Sequence, residues 1–116
     1  MNKYLLISCL VLSSCTQYPG RIDKGSVWFN AGFDDASSGK IVRDNDALTE
    51  WYGNPEVDRA AYLDGYNHGA HRLCQGSVLE QWGAQGEPFP ASCDSAVNIA
   101  ELRLKWQQGL NKTFPR

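Results

Sequence analysis

The chain has 116 residues, with 11 basic against 13 acidic side chains, a net charge of −2 and four cysteines. That length suits one small domain. The absence of a basic excess or an arginine-rich run argues against nucleic acid as a partner.

The opening, MNKYLLISCLVLSSC, reads as a targeting segment. Lys3 supplies a positive start, and Tyr4 to Leu12 form an apolar run far shorter than the ~20 residues a membrane span needs. Leu12-Ser13-Ser14-Cys15 then looks like a bacterial lipobox. In such proteins residues 1–14 are removed as a signal peptide, and Cys15 carries a diacylglycerol on sulfur and a further acyl chain, commonly palmitate, on its amine. Several chains on one residue anchor stably, where a single chain binds only marginally. Thr16 rather than Asp follows the cysteine, which by analogy with enteric lipoproteins points to the outer membrane, facing the periplasm.

Removal of residues 1–14 leaves 102, and because Lys3 is the only charge lost, the balance becomes 10 basic to 13 acidic, a net of −3. Cys9 leaves with the signal and Cys15 is lipidated, so Cys74 and Cys93 remain. In an oxidising compartment those two are expected to form one disulfide.

Residues 15–27 (CTQYPGRIDKGSV) are polar and broken by Pro19-Gly20, as expected of a lipidated tether. The domain is expected over 28–113. A first helix is predicted from about Ser26 to Gly39, and a connection over 40–54 with a short helical turn at Ala47–Trp51. Asn54 fits the cap of a second helix with Pro55 in its first position and Glu56 in its first turn, running to Cys74. Residues 75–92 hold three glycines and two prolines and read as a loop. A third helix follows Cys93, capped by Asp94 or Ser95, and ends near Asn111. The expectation is an all-α domain, a small bundle of about three helices with one disulfide.

The three helices share a pattern of aromatic-x-x-Gly-apolar-x-x-small: Phe29 to Ala36, Tyr62 to Gly69, and Trp106 to Thr113. Residues four apart share a helix face, so Gly32/Ala36, Gly65/Gly69 and Gly109/Thr113 are predicted to form notches for close helix packing. Their unequal spacing suggests a bundle rather than a solenoid. The functional alternative is a notch left open for a ligand or partner.

Asp64, His68 and His71 fall in one sector of the second helix, almost opposite the glycines. Histidines beside a carboxylate can hold Zn²⁺ or Cu²⁺, but nothing nearby supplies a further ligand, and a solvated face accounts for them as well. Cys74 near His71 could be a nucleophile; with Cys93 available, the disulfide is preferred. Asp34-Asp35 reads as helix surface or as partners for a nearby loop. Trp51, Trp82 and Phe89 are placed in connections, where they either pin loops or offer a surface to an envelope partner. No G-x-S-x-G, P-loop, HExxH or dinucleotide motif occurs, so neither an enzyme nor a cofactor is indicated.

The set Trp28-x-x-x-Gly32-x-x-Asp35-Ala36-x-x-Gly39, Asp58-x-x-x-Tyr62-x-x-Gly65-x-x-x-Gly69 to Cys74, Gly83-x-x-Gly86-Glu87-x-Phe89 with Cys93, and Trp106-x-x-Gly109 resembles a family of Gram-negative lipoproteins of unknown function, the YfiL-like lipoproteins. Ala36 stands where that family usually has Gly, and Leu73 where it has an aromatic. The resemblance implies a location and a fold but brings no known activity. The expectation is therefore a lipid-anchored envelope protein with a structural or protein-interaction role. The alternatives are a small-ligand or metal-binding lipoprotein and an inhibitor or immunity-type lipoprotein.

Overall fold

The computed structural model describes residues 24–115, all helical or connecting. The predicted signal peptide, Cys15 and most of the predicted tether lie outside these residues. Within them stand five α-helices and no strand: α1 (Lys24–Ser37), α2 (Asn45–Tyr52), α3 (Arg59–Leu73), α4 (Gly76–Ala84) and α5 (Ile99–Thr113), with a 3₁₀ turn at Ala91–Cys93. The bundle thus has five helices where three were expected.

Local chemistry accounts for the boundaries. Asp44 caps α2 by accepting from Ala47 N–H at 2.8 Å, and Gly53, at φ 67°, ends it in the left-handed region that favours glycine. The helix predicted from Asn54 begins later, at Arg59. Asn54 does accept from Glu56 N–H at 2.9 Å, but only as a local turn. The Glu56 carbonyl accepts from Trp28 Nε1 at 3.0 Å and Val57 packs into the core. The chain therefore stays extended until Asp58, which caps α3 through Ala61 N–H at 3.0 Å.

Residues 75–92 are not a loop throughout. Gly76 opens α4, Gly83 lies inside it, and only Gly86, at φ 82°, serves a turn. The helix forms because Leu79 is fully buried and Trp82 packs beside it. The last helix starts not at Asp94 or Ser95 but at Ile99. The residues between are held in successive tight turns, Ala96 N–H to Cys93 O and Ile99 N–H to Ala96 O. Those turns keep Cys93 against Cys74 and Ser92 against α1. At the other end, the last part of the predicted tether, from Lys24, is helical.

The helices pack as two pairs, α1 with α3 and α4 with α5. In each pair both helices run the same way, because contacts advance together along them: Phe29 meets Gly65 and Phe33 meets Gly69, while Gly76 meets Lys105 and Gly86 meets Phe114. The two pairs repeat one device. A methyl group on Gly32 would strike the Tyr62 carbonyl and come within 2.7 Å of Tyr66 N, and one on Gly65 would strike the Phe29 carbonyl. In the second pair, one on Gly83 would strike the Trp106 carbonyl and reach Leu110 N at 3.0 Å, and one on Gly109 would strike the Glu80 carbonyl. Every one of these glycines sits against the carbonyl three residues before its partner glycine. The cost of glycine inside a helix, about 0.5–1 kcal/mol, is offset by backbone contact that any side chain would prevent.

Each pair has its own core. Trp28, Ala31, Leu48 and Tyr62 fill the first, and Leu73, Leu79, Cys93 and Leu102 the second. The pairs are tied together by the disulfide Cys74–Cys93, with Cα atoms 5.6 Å apart. Ser92 Oγ adds a bond to the Ala36 carbonyl at 2.7 Å, and Ala91 N–H one to the Gly39 carbonyl at 2.9 Å.

Candidate functional site

The sequence singled out several places, and the structure treats them differently. Gly32, Gly65, Gly69 and Gly109 all lie in the helix contacts just described, and Ala36 is fully buried against Gly69. Thr113 is different: it is exposed in the last turn of α5 and forms no notch. The missing member is Gly83, hidden in the segment read as a loop. The spacing Leu79-x-x-x-Gly83 repeats Trp28-x-x-x-Gly32, and that large-residue-to-glycine interval was the available signal.

Asp34 and Asp35, read as helix surface or as partners for a nearby loop, part company, Asp34 matching the first reading and Asp35 the second. Asp34 is exposed, whereas Asp35 is 2 % exposed. A buried carboxylate is costly unless paired and bonded, and this one is both. Arg43 Nη2 donates to its Oδ1 at 2.7 Å and Tyr62 O–H to its Oδ2 at 2.8 Å. The Tyr62 oxygen in turn accepts from Arg43 N–H at 3.0 Å, and Arg59 closes the cluster by donating to the Arg43 carbonyl. The Tyr62 hydroxyl is pushed up to about 12, chiefly by burial and further by the Asp35 carboxylate, which disfavour a phenolate. Asp35 likewise holds the Arg43 guanidinium even more firmly protonated than usual. The cluster staples α1, α3 and the segment before α2.

Asp64, His68 and His71 are all exposed. His68 Nδ1 is 2.9 Å from the Asp64 carbonyl oxygen, its turn-mate in the helix. The ring also packs on Phe29, centroids 5.3 Å apart, so the sector flanks the α1–α3 contact rather than lying opposite it. Among the described residues no group of three or more His, Cys, Asp or Glu converges to hold a metal ion. His71 instead borders an open groove of about 300 Å³ beside the disulfide, with Asn67, Ser95 and Asn98 around it. Cys74 is bonded to Cys93 and offers no thiolate.

The three loop aromatics also separate. Trp82, in α4, donates from Nε1 to the Pro88 carbonyl at 2.7 Å. Phe89 packs on Trp106 with ring centroids 5.9 Å apart, and Trp106 donates to the Glu87 carbonyl at 2.7 Å. Trp82 and Phe89 therefore pin the 85–90 segment to the second core. Trp51, at the end of α2, is 69 % exposed. Arg43 lies over its ring, 5.1 Å from the centroid, which fixes the indole while leaving most of it in solvent. Next to it, Tyr52 is partly exposed and sets its ring edge-on to Trp28 at 5.4 Å. Trp51 and Tyr52 thus sit beside the first turns of α1, near the partly exposed Val27.

The sequence model of a family described as a protein of unknown function, DUF2799, matches residues 27–111. The chain is also 35% identical over 85 residues to the uncharacterized protein YfiL of Escherichia coli (strain K12), covering 73% of this chain and 67% of that one. No solved structure matches. The matched segment runs from the first turn of α1 into the last turn of α5, so all the glycines that pack the two pairs lie within it, and the chain belongs to the DUF2799 family of proteins of unknown function.

Proposed function

We propose that this protein is a lipid-anchored protein of the cell envelope, facing the periplasm, that works by surface contact. Trp51 carries the reading. The other three tryptophans each donate an indole hydrogen bond to a backbone carbonyl inside the fold, while this one is 69 % exposed and braced by Arg43. A large, amphipathic, pre-ordered ring in water is the kind of anchor that contact surfaces use. Anchoring is supported by Leu12-Ser13-Ser14-Cys15 behind a short apolar run, and the disulfide suits an oxidising compartment.

The test uses the full-length chain in cells. Wild type should fractionate with membranes and carry a lipid mass on its N-terminal cysteine peptide, and Cys15→Ser should lose both. A photo-crosslinking residue at position 51 should give an adduct. Identical fractionation of Cys15→Ser would overturn the anchoring, and absence of any adduct would overturn the contact role. A second reading, small-ligand binding, is favoured only by the groove beside His71. Its test is a thermal shift that Asn67→Ala and His71→Ala abolish.

A further inference from the structure

We propose that the surface Trp51 touches is the lipid bilayer itself, so that the domain rests on the membrane by the aromatic end of α2. The inference rests on the anchored reading above. Chain length limits how far the domain can lie from the lipid. Cys15 and the first described residue, Lys24, are nine positions apart. Fully extended, such a stretch spans at most about 30 Å. The start of α1 is therefore held within one small-domain diameter of the lipid.

Tyr52, and with it the neighbouring Trp51, lies close to that start of α1. Tyr52 packs on Trp28, in the second turn of α1, and Val27 beside it is exposed. Trp and Tyr are the side chains that favour the boundary between headgroups and hydrocarbon, having one apolar and one hydrogen-bonding end. Charge is arranged to permit it. At about 100° per residue, Asp46 and Glu50 project from α2 about 100° or more away from Trp51, so that the ring can meet lipid while the carboxylates stay in water. Arg43 is engaged by Asp35 and by the Trp51 ring, and the contact is therefore with a neutral interface and not an anionic one. The tether makes a weak contact sufficient, since it turns docking into an intramolecular event at high effective concentration.

The experiment takes full-length, lipidated protein in vesicles of the net-neutral lipids phosphatidylethanolamine and phosphatidylcholine, with and without lipids brominated near the headgroup end of the chain. Tryptophan emission is compared for wild type and Trp51→Phe, an exposed substitution whose fold is checked by circular dichroism. Wild type should be quenched, and Trp51→Phe should lose most of that quenching while still floating with the vesicles. Equal or absent quenching in two floating proteins would overturn the bilayer contact and leave anchoring intact. The same holds if position 51 crosslinks to an envelope protein and shows no quenching. A wild type that does not float would overturn the anchored reading and this inference with it.

Discussion

Gly109→Ala is the sharpest test of how this fold is held together, because two effects of known sign oppose each other. As a helix substitution it should stabilise by about 1 kcal/mol. As a packing substitution it places a methyl group onto the Glu80 carbonyl, 2.7 Å from the Glu80 carbonyl carbon and 3.0 Å from Ala84 N. All three neighbours are backbone, so no side-chain rotation relieves the overlap. Ordinary contact begins at 3.4 Å, and the Glu80 carbonyl oxygen lies so far inside it that α4 and α5 must part by more than about 1 Å, which forfeits at least about half of each interatomic contact across the pair. With some forty such contacts at about 0.15 kcal/mol, that loss is at least about 3 kcal/mol, and residual strain adds about 1–2 kcal/mol. The net expectation is destabilisation by about 3 kcal/mol or more, a fall in Tm of at least roughly 12 °C for a domain of this size. Urea unfolding followed by far-UV circular dichroism, disulfide intact, reads it directly. Gly76→Ala is the control: its methyl group would meet only the flexible Lys105 side chain at 3.3 Å, and stability should be unchanged or slightly raised. A Gly109→Ala protein as stable as wild type would refute the glycine-to-carbonyl packing.

Tyr62→Phe should cost about 1–3 kcal/mol at neutral pH, because it removes a donor from buried Asp35 and an acceptor from Arg43 N–H; a neutral result by chemical denaturation would mean the cluster does not hold the pair. The Tyr62 hydroxyl titrates higher in the folded chain, up to about 12, than the ordinary value near 10 of the unfolded chain. Its contribution is therefore complete below about pH 10 and is lost as pH rises toward 12, a decline that denaturation at a series of alkaline pH values should show and Tyr62→Phe should reduce. Reducing Cys74–Cys93, which are 19 positions apart, should cost about 3 kcal/mol in the chain-entropy picture; an unchanged urea midpoint after reduction would argue against that. Zn²⁺ should not shift the melting temperature, since His68 and His71 find no third ligand among the described residues. A shift abolished by His68→Ala with His71→Ala would reverse that conclusion.

Some of this was legible in the amino-acid sequence, for local reasons. The all-helical class, α1, most of α3 and α5, and the pairing of Cys74 with Cys93 follow from periodicity, composition and counting. These depend only on neighbours in the chain. The caps were harder, because Asn54 and Asp58 are equally good caps taken alone. The choice fell to Asp58 only because Trp28, 28 positions from Glu56, takes the Glu56 carbonyl. Glycine count made residues 75–92 look like a loop. What turns Gly83 into a helix residue is the Trp106 carbonyl lying against it, a contact that exists only once α5 is in place. Asp35 gave the same difficulty: nothing beside it in the chain marks it as buried, and Arg43 and Tyr62 come to it from elsewhere.

The aromatics draw the line most clearly. Trp82 and Phe89 could not be told from Trp51 by residue type or by loop-like surroundings. Tertiary structure separated them by supplying Pro88 O and the Trp106 ring to two of them and, among the described residues, Arg43 to the third. By itself the sequence determined the all-helical class, three of the five helices in outline, the disulfide and the notches at Gly32, Gly65, Gly69 and Gly109, because each follows from covalent spacing and side-chain chemistry. Which notch meets which carbonyl, which carboxylate is buried and which tryptophan faces outward were decided only by long-range packing, where backbone groups distant in the chain are brought within van der Waals reach.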